Sequence, residues 1–254
     1  MLALLIAVAL DPAAHAREVA RGLPFARNAM LEVRRAAAAI GDPALRAAVE
    51  AQILAPGASL KKAGDFAVAP GGNCQGGHHG YPGGLAVHTL ATLLHARALA
   101  QVYERVYQTK LRDDWLVTAA IWHDSLKAAT LPWREDGSCG PEAEIAGTGE
   151  HHVLGLAAAL LRHLPKELIA VIASAHGLSI CPWLSEAERI ASVEPGACPA
   201  KLPIEAYVLH FADSDYPLTG AAWSDYAERA PQGWERYEAL KADGNELLFF
   251  SRSR

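Results

Sequence analysis

The sequence contains no apolar run of the roughly 20 residues that a membrane-spanning helix requires, so no membrane association is expected. It also lacks an excess of basic residues: 23 Lys and Arg are set against 28 Asp and Glu, giving a net charge of −5. This balance argues against stable binding of duplex nucleic acid, which depends on many phosphate contacts. A pocket for a nucleotide or a short oligonucleotide is still compatible with it, because a metal ion can neutralise a phosphate locally.

Three common site signatures are absent as well. The glycine pairs between residues 71 and 84 lack the Lys-Ser or Lys-Thr of a P-loop. No GxSxG nucleophile motif occurs, and no two cysteines show CxxC metal spacing. With 51% hydrophobic and 20% charged residues, the chain has an ordinary globular composition and suffices for one substantial domain.

The first residues allow two interpretations. Residues 1–16, MLALLIAVALDPAAHA, join an apolar run to the pattern Ala14-His15-Ala16, as in a signal peptide of a periplasmic or secreted protein. The usual basic residues before such a run are missing, and Leu2 to Leu10 would equally suit a buried first helix of a cytoplasmic protein. The cysteines lie in Gly- and Pro-rich stretches, at Cys74, Cys139, Cys181 and Cys198. Disulfides and free thiols are both compatible with that setting.

Helical patterns dominate the remaining sequence, with no series of strands. Asp42 followed by Pro43 is typical of a helix N-terminus and predicts a helix that ends before Pro56 and Gly57. Further helices are predicted over about 85–107, 113–129, 151–164, 165–176, 204–215 and 219–241, with irregular connections at 57–84, 130–149 and 178–202. We therefore expect an all-α fold. It would comprise a helical segment over 1–41, one helical-bundle domain over 42–220, and a C-terminal helix and tail over 221–254.

Ionisable side chains, whose burial costs free energy unless they find partners, occur inside the most apolar of these helices. His123 and Asp124, for example, lie in the middle of AAIWHDSLKAA (119–129). A lone histidine in such a helix is usually a hydrogen-bonded core residue, but several near the ends of different helices suggest convergence on metal ions. Two ions bridged by Asp124 would suit phosphoryl chemistry. The candidate ligands are His88, His123, Asp124, His151, His176 and Asp213.

The order of these residues resembles the HD-domain superfamily of metal-dependent phosphohydrolases. The segment GGHHGYPGGLAVHTL (76–90) is similar to the HHxYxGGLxxHT motif of HD-domain 3′–5′ exoribonucleases, and SAHG (174–177) is similar to their SHHG. EHHVLG places His151 in an HxxxG pattern, with His152 as the alternative ligand. The resemblance covers about residues 42–220 in consistent order.

The resemblance implies a hydrolase that uses a metal-activated water on a phosphomonoester or phosphodiester. The first ion would be held by His88, His123, Asp124 and Asp213, and a second site would be completed by His151 and His176. The cofactor would be one or two divalent ions, with Mn, Fe, Co, Ni, Zn or Mg as candidates. The substrate would be a small phosphorylated molecule such as a nucleotide, or a short oligonucleotide.

The resemblance also implies roles for residues near the ligands. Asp124 and Lys127 are the expected catalytic residues, because Lys127 matches the lysine of HDxGK and would lie near the substrate phosphate. Substrate contacts are expected from His78, His79, Tyr81 and Lys127, although the first three could equally belong to a flexible polar loop.

Two residues depart from the family pattern. Leu126 stands where the family has Gly, and Ala175 replaces the first His of SHHG.

Two other functions are compatible with the same ligand set. A di-iron oxygenase and a non-catalytic nucleotide- or metal-binding sensor are the alternatives. Lys127 and the exonuclease-like segments favour hydrolysis, and the complete ligand set argues against a sensor.

Overall fold

A computed structural model describes residues 11–72 and 78–214, and these ranges form helices joined by loops, without a β-strand. The all-α prediction is therefore confirmed for this part of the chain. Within it, no helix is both long and apolar enough to cross a membrane. The elements are α1 (Pro12–Gly22), α2 (Pro24–Ala38), α3 (Pro43–Leu54), a 3₁₀ helix (Ala58–Leu60), α4 (Gly84–Tyr107), α5 (Asp113–Trp122), α6 (Lys127–Thr130), α7 (His151–Leu161), α8 (Lys166–Ser174), α9 (Cys181–Ala191) and α10 (Ile204–Ser214).

Helix α5 lies at the centre of the molecule. Every residue from Leu116 to Trp122 is buried, and the helix contacts α2, α3, α4, α8 and α10. The Trp122 indole donates a 2.8 Å hydrogen bond to the carbonyl of Gly155 in α7, which satisfies its polar atom inside the core. A helix packed on all sides is a rigid support for side chains at its end.

Helix α2 belongs to the same core as the later helices. Met30 and Val33 of α2, and Ile40 just after its end, are buried in one hydrophobic cluster with residues of α4, α5, α7 and α8. Helix α2 therefore packs in the same core as these later helices.

Local sequence signals determine where several helices begin. The Asp42 carboxylate accepts hydrogen bonds from the backbone N–H groups of Ala44 (2.8 Å) and Leu45 (3.1 Å), and Pro43 is the first helical residue of α3. This start of α3 was predicted from Asp42-Pro43 and is confirmed.

Two predicted boundaries are wrong. The helix expected over 113–129 ends at Trp122, and a tight turn precedes the short α6. The connection expected over 178–202 contains the 11-residue helix α9, in which Pro182 lies in the first turn, where a missing N–H costs no helical hydrogen bond.

The cysteines are paired where the structure describes them. Cys181 and Cys198 form a disulfide, and Cys139 is also disulfide-bonded. The interpretation of free thiols is therefore wrong for these three residues. Three earlier predictions concern residues outside the described ranges. They are the pairing of Cys74, the first ten residues of the possible signal peptide (1–16), and the helix expected over 219–241.

Candidate metal centre

Four predicted ligands from three parts of the chain form one buried group. His88 comes from α4, Asp213 from α10, and His123 and Asp124 follow the last residue of α5. The His88 Nε2 atom lies 3.0 Å from Asp124 Oδ2, 3.1 Å from Asp213 Oδ1 and 3.0 Å from His123 Nε2. The His123 Nε2 atom lies 3.2 Å from Asp213 Oδ1 and 3.5 Å from Asp124 Oδ2. We call these four residues the first donor group.

The geometry of the first donor group fits a metal ion better than hydrogen bonds alone. An imidazole nitrogen carries one hydrogen or one lone pair, so His88 Nε2 cannot hydrogen-bond to three neighbours at once. Ligands bound at about 2.0–2.2 Å and at right angles to each other would lie about 3 Å apart, which matches these separations. Among the described residues, the buried Asp213 Oδ1 atom has no hydrogen-bond partner of suitable geometry, although two ring nitrogens lie within 3.2 Å of it. Nitrogen and carboxylate donors of this kind suit a divalent transition metal.

A second donor group shares Asp124. The other carboxylate oxygen, Oδ1, lies 3.0 Å from His151 Nε2 and 3.4 Å from His176 Nε2. Within the described part of the chain, the buried His176 Nε2 atom has no hydrogen-bond partner of suitable geometry. Asp124 therefore faces the first group with one oxygen and the second group, His151 and His176, with the other.

The turn after α5 brings Asp124 and Lys127 together. The N–H groups of Ser125 and Lys127 donate to carbonyls three residues earlier, at 3.1 and 2.9 Å, as in a 3₁₀ helix. In that geometry side chains three residues apart lie one above the other, so Lys127 Nζ donates to Asp124 Oδ2. Lys127 also donates to the carbonyl of Gly71 at 2.7 Å, and the residue is only 6% exposed.

A buried polar pair accounts for the interruption of the helix. The Ser125 hydroxyl donates to the Trp122 carbonyl at 2.8 Å and accepts a 2.8 Å hydrogen bond from Gln52 of α3. Serine side chains compete with backbone N–H groups for helix carbonyls in this way. Local periodicity does not reveal a contact from Gln52, which lies 73 residues earlier in the sequence. The prediction of a continuous helix was therefore wrong.

The two buried carboxylates of the first donor group strongly stabilise positive charge beside them. Burial disfavours a charged His123, but the carboxylates of Asp124 and Asp213 outweigh burial and raise its pKa to about 10. Burial likewise opposes ionisation of Asp124 and Asp213. Lys127 and His123 nevertheless hold the pKa of Asp124 well below its usual range. His123 and His88 do the same for the pKa of Asp213. A divalent cation would supply the charge that the proton on His123 otherwise provides.

Hydrogen bonds to the outer ring nitrogens orient two of the histidines. His123 Nδ1 donates to the carbonyl of Ala120 at 2.9 Å, and His151 Nδ1 lies 2.7 Å from the carboxylate of Glu142. Glu142 also accepts the backbone N–H of His151 at 2.8 Å. Such contacts direct Nε2 of each ring into the centre, as is usual for metal-binding histidines. Glu142 was missed in the sequence, because a carboxylate in a polar loop carries no signal of this contact.

His151, and not the alternative His152, faces Asp124. His152 Nε2 lies 3.0 Å from the Glu150 carboxylate, and its ring contacts the Trp183 ring instead. His151 and His176 have side chains 12% and 16% exposed, whereas those of the first donor group are at most 3% exposed. The second donor group is therefore the more exposed side of the centre.

The four residues expected to contact substrate, including Lys127, are buried. His78 and His79 are each 3% exposed and their rings lie 4.8 and 5.8 Å from that of His88, while Tyr81 is fully buried against Phe25. Burial lowers the pKa of His78 to about 2 and that of His79 well below its usual value, which favours the neutral form of both rings. The alternative of a flexible polar loop is wrong for these residues. Their contact with substrate stays a prediction.

The close packing of glycines fixes this segment beside the centre. The His79 carbonyl accepts the N–H of Gly71 at 2.8 Å, and a Cβ atom on Gly84 would lie only 2.0 Å from the same oxygen. No side chain fits at position 84, so the glycine of the GGL sequence has a packing reason.

The departures from the family pattern leave the centre intact. Leu126 has an ordinary helical backbone (φ −74°, ψ −12°) that needs no glycine, and its side chain is fully buried in the core. Ala175 is buried, and its carbonyl accepts a 3.1 Å hydrogen bond from His210 of α10.

Comparison with known proteins gives one informative similarity. The chain is 30% identical over 136 residues to the dihydroneopterin 2′,3′-cyclic phosphate phosphodiesterase of Methanocaldococcus jannaschii. The aligned part covers 54% of this chain and 47% of that protein, so the chain spans about half the length of this curated relative. No protein-family model matches the chain, and no solved structure matches it significantly.

Proposed function

We propose that the protein is a metal-dependent phosphohydrolase of the HD-domain superfamily, acting on a phosphodiester of a small nucleotide-like molecule. The observation that carries the proposal is the Asp124 carboxylate, whose two oxygens face separate pairs of histidines at 3.0–3.5 Å. The similarity to a phosphodiesterase supports hydrolysis over the oxygenase alternative. Phosphomonoesters and short oligonucleotides are further substrates for the same chemistry.

The residues of the two donor groups would hold the ions. His88, His123, Asp124 and Asp213 would bind one ion, and His151 and His176 would bind a second, with Asp124 between them. When bound, divalent ions in such a centre supply an activated water and neutralise charge on the phosphate. The remaining contributions come from the chain itself.

Lys127 acts on this centre by holding Asp124. Its Nζ atom is shared between the Asp124 carboxylate and the carbonyl of Gly71, and this fixes both the carboxylate and the loop that leads to His79. The ammonium also places a positive charge next to the centre, which favours an anionic substrate. The exposed side of His151 and His176 is where the phosphate would enter.

The proposal is tested by metal analysis of the purified protein together with hydrolysis of bis(p-nitrophenyl) phosphate and 2′,3′-cyclic AMP. We expect metal-stimulated hydrolysis by the unmodified protein and only background rates for Asp124→Asn and His123→Ala. The control is His95→Ala, which removes a histidine of α4 that belongs to neither donor group. Full activity of Asp124→Asn would refute the assignment.

A further inference from the structure

An aromatic side chain lies beside the exposed edge of the metal centre. Trp183 of α9 contacts His152, with the ring centroids 4.9 Å apart and the rings nearly perpendicular. The His152 ring lies 5.2 Å from that of His176, whose Nε2 atom is 3.4 Å from Asp124 Oδ1. The Trp183 ring is therefore no more than about 10 Å from the His176 ring.

Several features hold Trp183 in place. Two residues before it, Cys181 is joined to Cys198 by a disulfide, and one residue after it, Leu184 is fully buried. On the side of the metal centre, a Cβ atom at Gly177 would lie 3.2 Å from Cη2 of the indole, so glycine there lets the ring approach. A large side chain fixed in this way loses little conformational entropy when a ligand packs on it.

The exposed aromatic surface of this edge suits a planar ring. Trp183 is only partly buried, so part of the indole is accessible, and the His152 ring lies beside it. Indole and imidazole faces stack on flat heteroaromatic rings largely irrespective of ring substitution. The phosphate would lie at the donor groups, and a sugar or short polyol would span the distance to the indole.

Taking hydrolysis at the metal centre as proposed above, we propose that Trp183 is a specificity residue that stacks on a planar heteroaromatic ring of the substrate. The substrate class is then a phosphate ester that carries such a ring, such as a nucleobase or a pterin, on a short hydroxylated linker. His152 supports the indole from the side of His176.

The test compares two cyclic phosphodiesters that differ in the ring. Hydrolysis of 2′,3′-cyclic AMP and of glycerol 1,2-cyclic phosphate is measured with the unmodified protein, Trp183→Ala and Trp183→Phe. We expect Trp183→Ala to raise KM for 2′,3′-cyclic AMP by about 10- to 100-fold, the range that stacking of one base supports. The kcat for that substrate and both constants for the ring-free ester should stay within about twofold, and Trp183→Phe should restore most of the affinity.

A matched control separates stacking from damage to the fold. Trp115→Ala removes a half-buried indole that packs against Arg112 at the start of α5, outside the metal centre, and should leave the ratio between the two substrates unchanged. An equal loss for both substrates in Trp183→Ala, or no loss for either, would overturn the inference while leaving the hydrolase proposal intact.

Binding measured without turnover distinguishes failure of the inference from failure of the proposed function. Titration of 2′,3′-cyclic AMP by isothermal calorimetry should show weaker binding to Trp183→Ala than to the unmodified protein, even if neither hydrolyses the ligand. Trp183-dependent binding without hydrolysis would retain the stacking role and refute the hydrolase. Hydrolysis combined with binding that does not depend on Trp183 would retain the hydrolase and refute the stacking role.

Discussion

Burial of the Asp124 carboxylate is compensated on both of its oxygens. A buried carboxylate costs several kcal/mol unless charged or hydrogen-bonding groups surround it. Asp124 has Lys127 and His88 near one oxygen and His151 and His176 near the other. Removing any one histidine affects one donor group, whereas replacing Asp124 disturbs both. This is why Asp124 is the most informative single position in the chain.

Glu142 offers a test of the second donor group that leaves its ligands in place. In Glu142→Ala, His151 would lose the acceptor for both Nδ1 and its backbone N–H. We expect the affinity of the second donor group for its ion to fall by about 10- to 100-fold, the usual effect of removing such a hydrogen-bond partner. Competition with a coloured chelator measures the change. Glu144→Ala, an exposed carboxylate of the same loop, is the control, and equal affinities in the two variants would contradict the prediction.

At the scale of single residues, the sequence indicated the candidate ligands but not the residues that orient them. His123 and Asp124 could be recognised because ionisable residues in an apolar helix need compensation. Glu142 and Trp183 lie in stretches where a carboxylate or an indole is ordinary, and only the fold brings them to the centre. Lys127 was recognised, yet its contacts to Asp124 and Gly71 depend on a turn that the sequence did not reveal.

Among the helices, α10 is positioned by an ion pair at its beginning. Arg112 donates to Glu205 through Nε at 2.9 Å, through Nη2 at 2.8 Å and through its backbone N–H at 3.1 Å. The pair joins the start of α5 to the start of α10, so it fixes two helices that deliver His123 and Asp213. A two-pronged guanidinium–carboxylate contact sets orientation as well as distance.

Glu205→Gln should destabilise the protein in a pH-dependent manner. Burial opposes ionisation of Glu205, but its hydrogen bonds from Arg112 outweigh burial and lower its pKa. The contribution to stability is therefore present above the unfolded pKa of about 4.3, and it is lost as the pH falls through the lower folded value. We expect a loss of about 1.5–3 kcal/mol at pH 7, the range for hydrogen bonds to charged groups, and a smaller difference at pH 3.5.

Urea unfolding at the two pH values measures this effect. Glu186→Gln is the control, because Glu186 pairs with Arg189 on an exposed face of α9 and should give no measurable change. A difference between Glu205→Gln and the unmodified protein that is independent of pH would show that the charge of Glu205 is not what stabilises the pair.

Helix boundaries were predicted correctly where neighbouring residues in the sequence determine them. They were predicted wrongly where contacts with distant residues determine them. The capping pair Asp42-Pro43 sets the start of α3, and the bounds of α4 agree with its apolar pattern to within one residue. The end of α5 depends on Gln52 reaching Ser125 from another helix. Helix α9 was predicted as an irregular stretch because Pro182, Pro195 and Pro199 were interpreted as helix breakers, yet Pro182 lies in the first turn of the helix.

The candidate metal centre is assembled only in the folded molecule. Its donors come from α4, the turn after α5, the start of α7, the residue after Ala175 and α10, and they span residues 88–213. In an unfolded chain these groups are far apart, so an ion bound by them stabilises the folded state. The disulfide between Cys181 and Cys198 lies within the same span and constrains α9 independently of metal.

Removal of metal should therefore lower the stability of the whole molecule, not only its activity. At a free metal concentration about 100 times the Kd, binding contributes about 2.7 kcal/mol, and this amount should be lost after treatment with a chelator. Thermal unfolding followed by circular dichroism, with and without Mn²⁺ or Zn²⁺, measures the shift in Tm. His123→Ala disturbs only the first donor group and should show a clearly smaller shift in Tm, whereas His95→Ala should keep the full shift. If metal raised the Tm of His123→Ala as much as that of the unmodified protein, the ion would be binding elsewhere, because His123 contacts every other member of the first donor group.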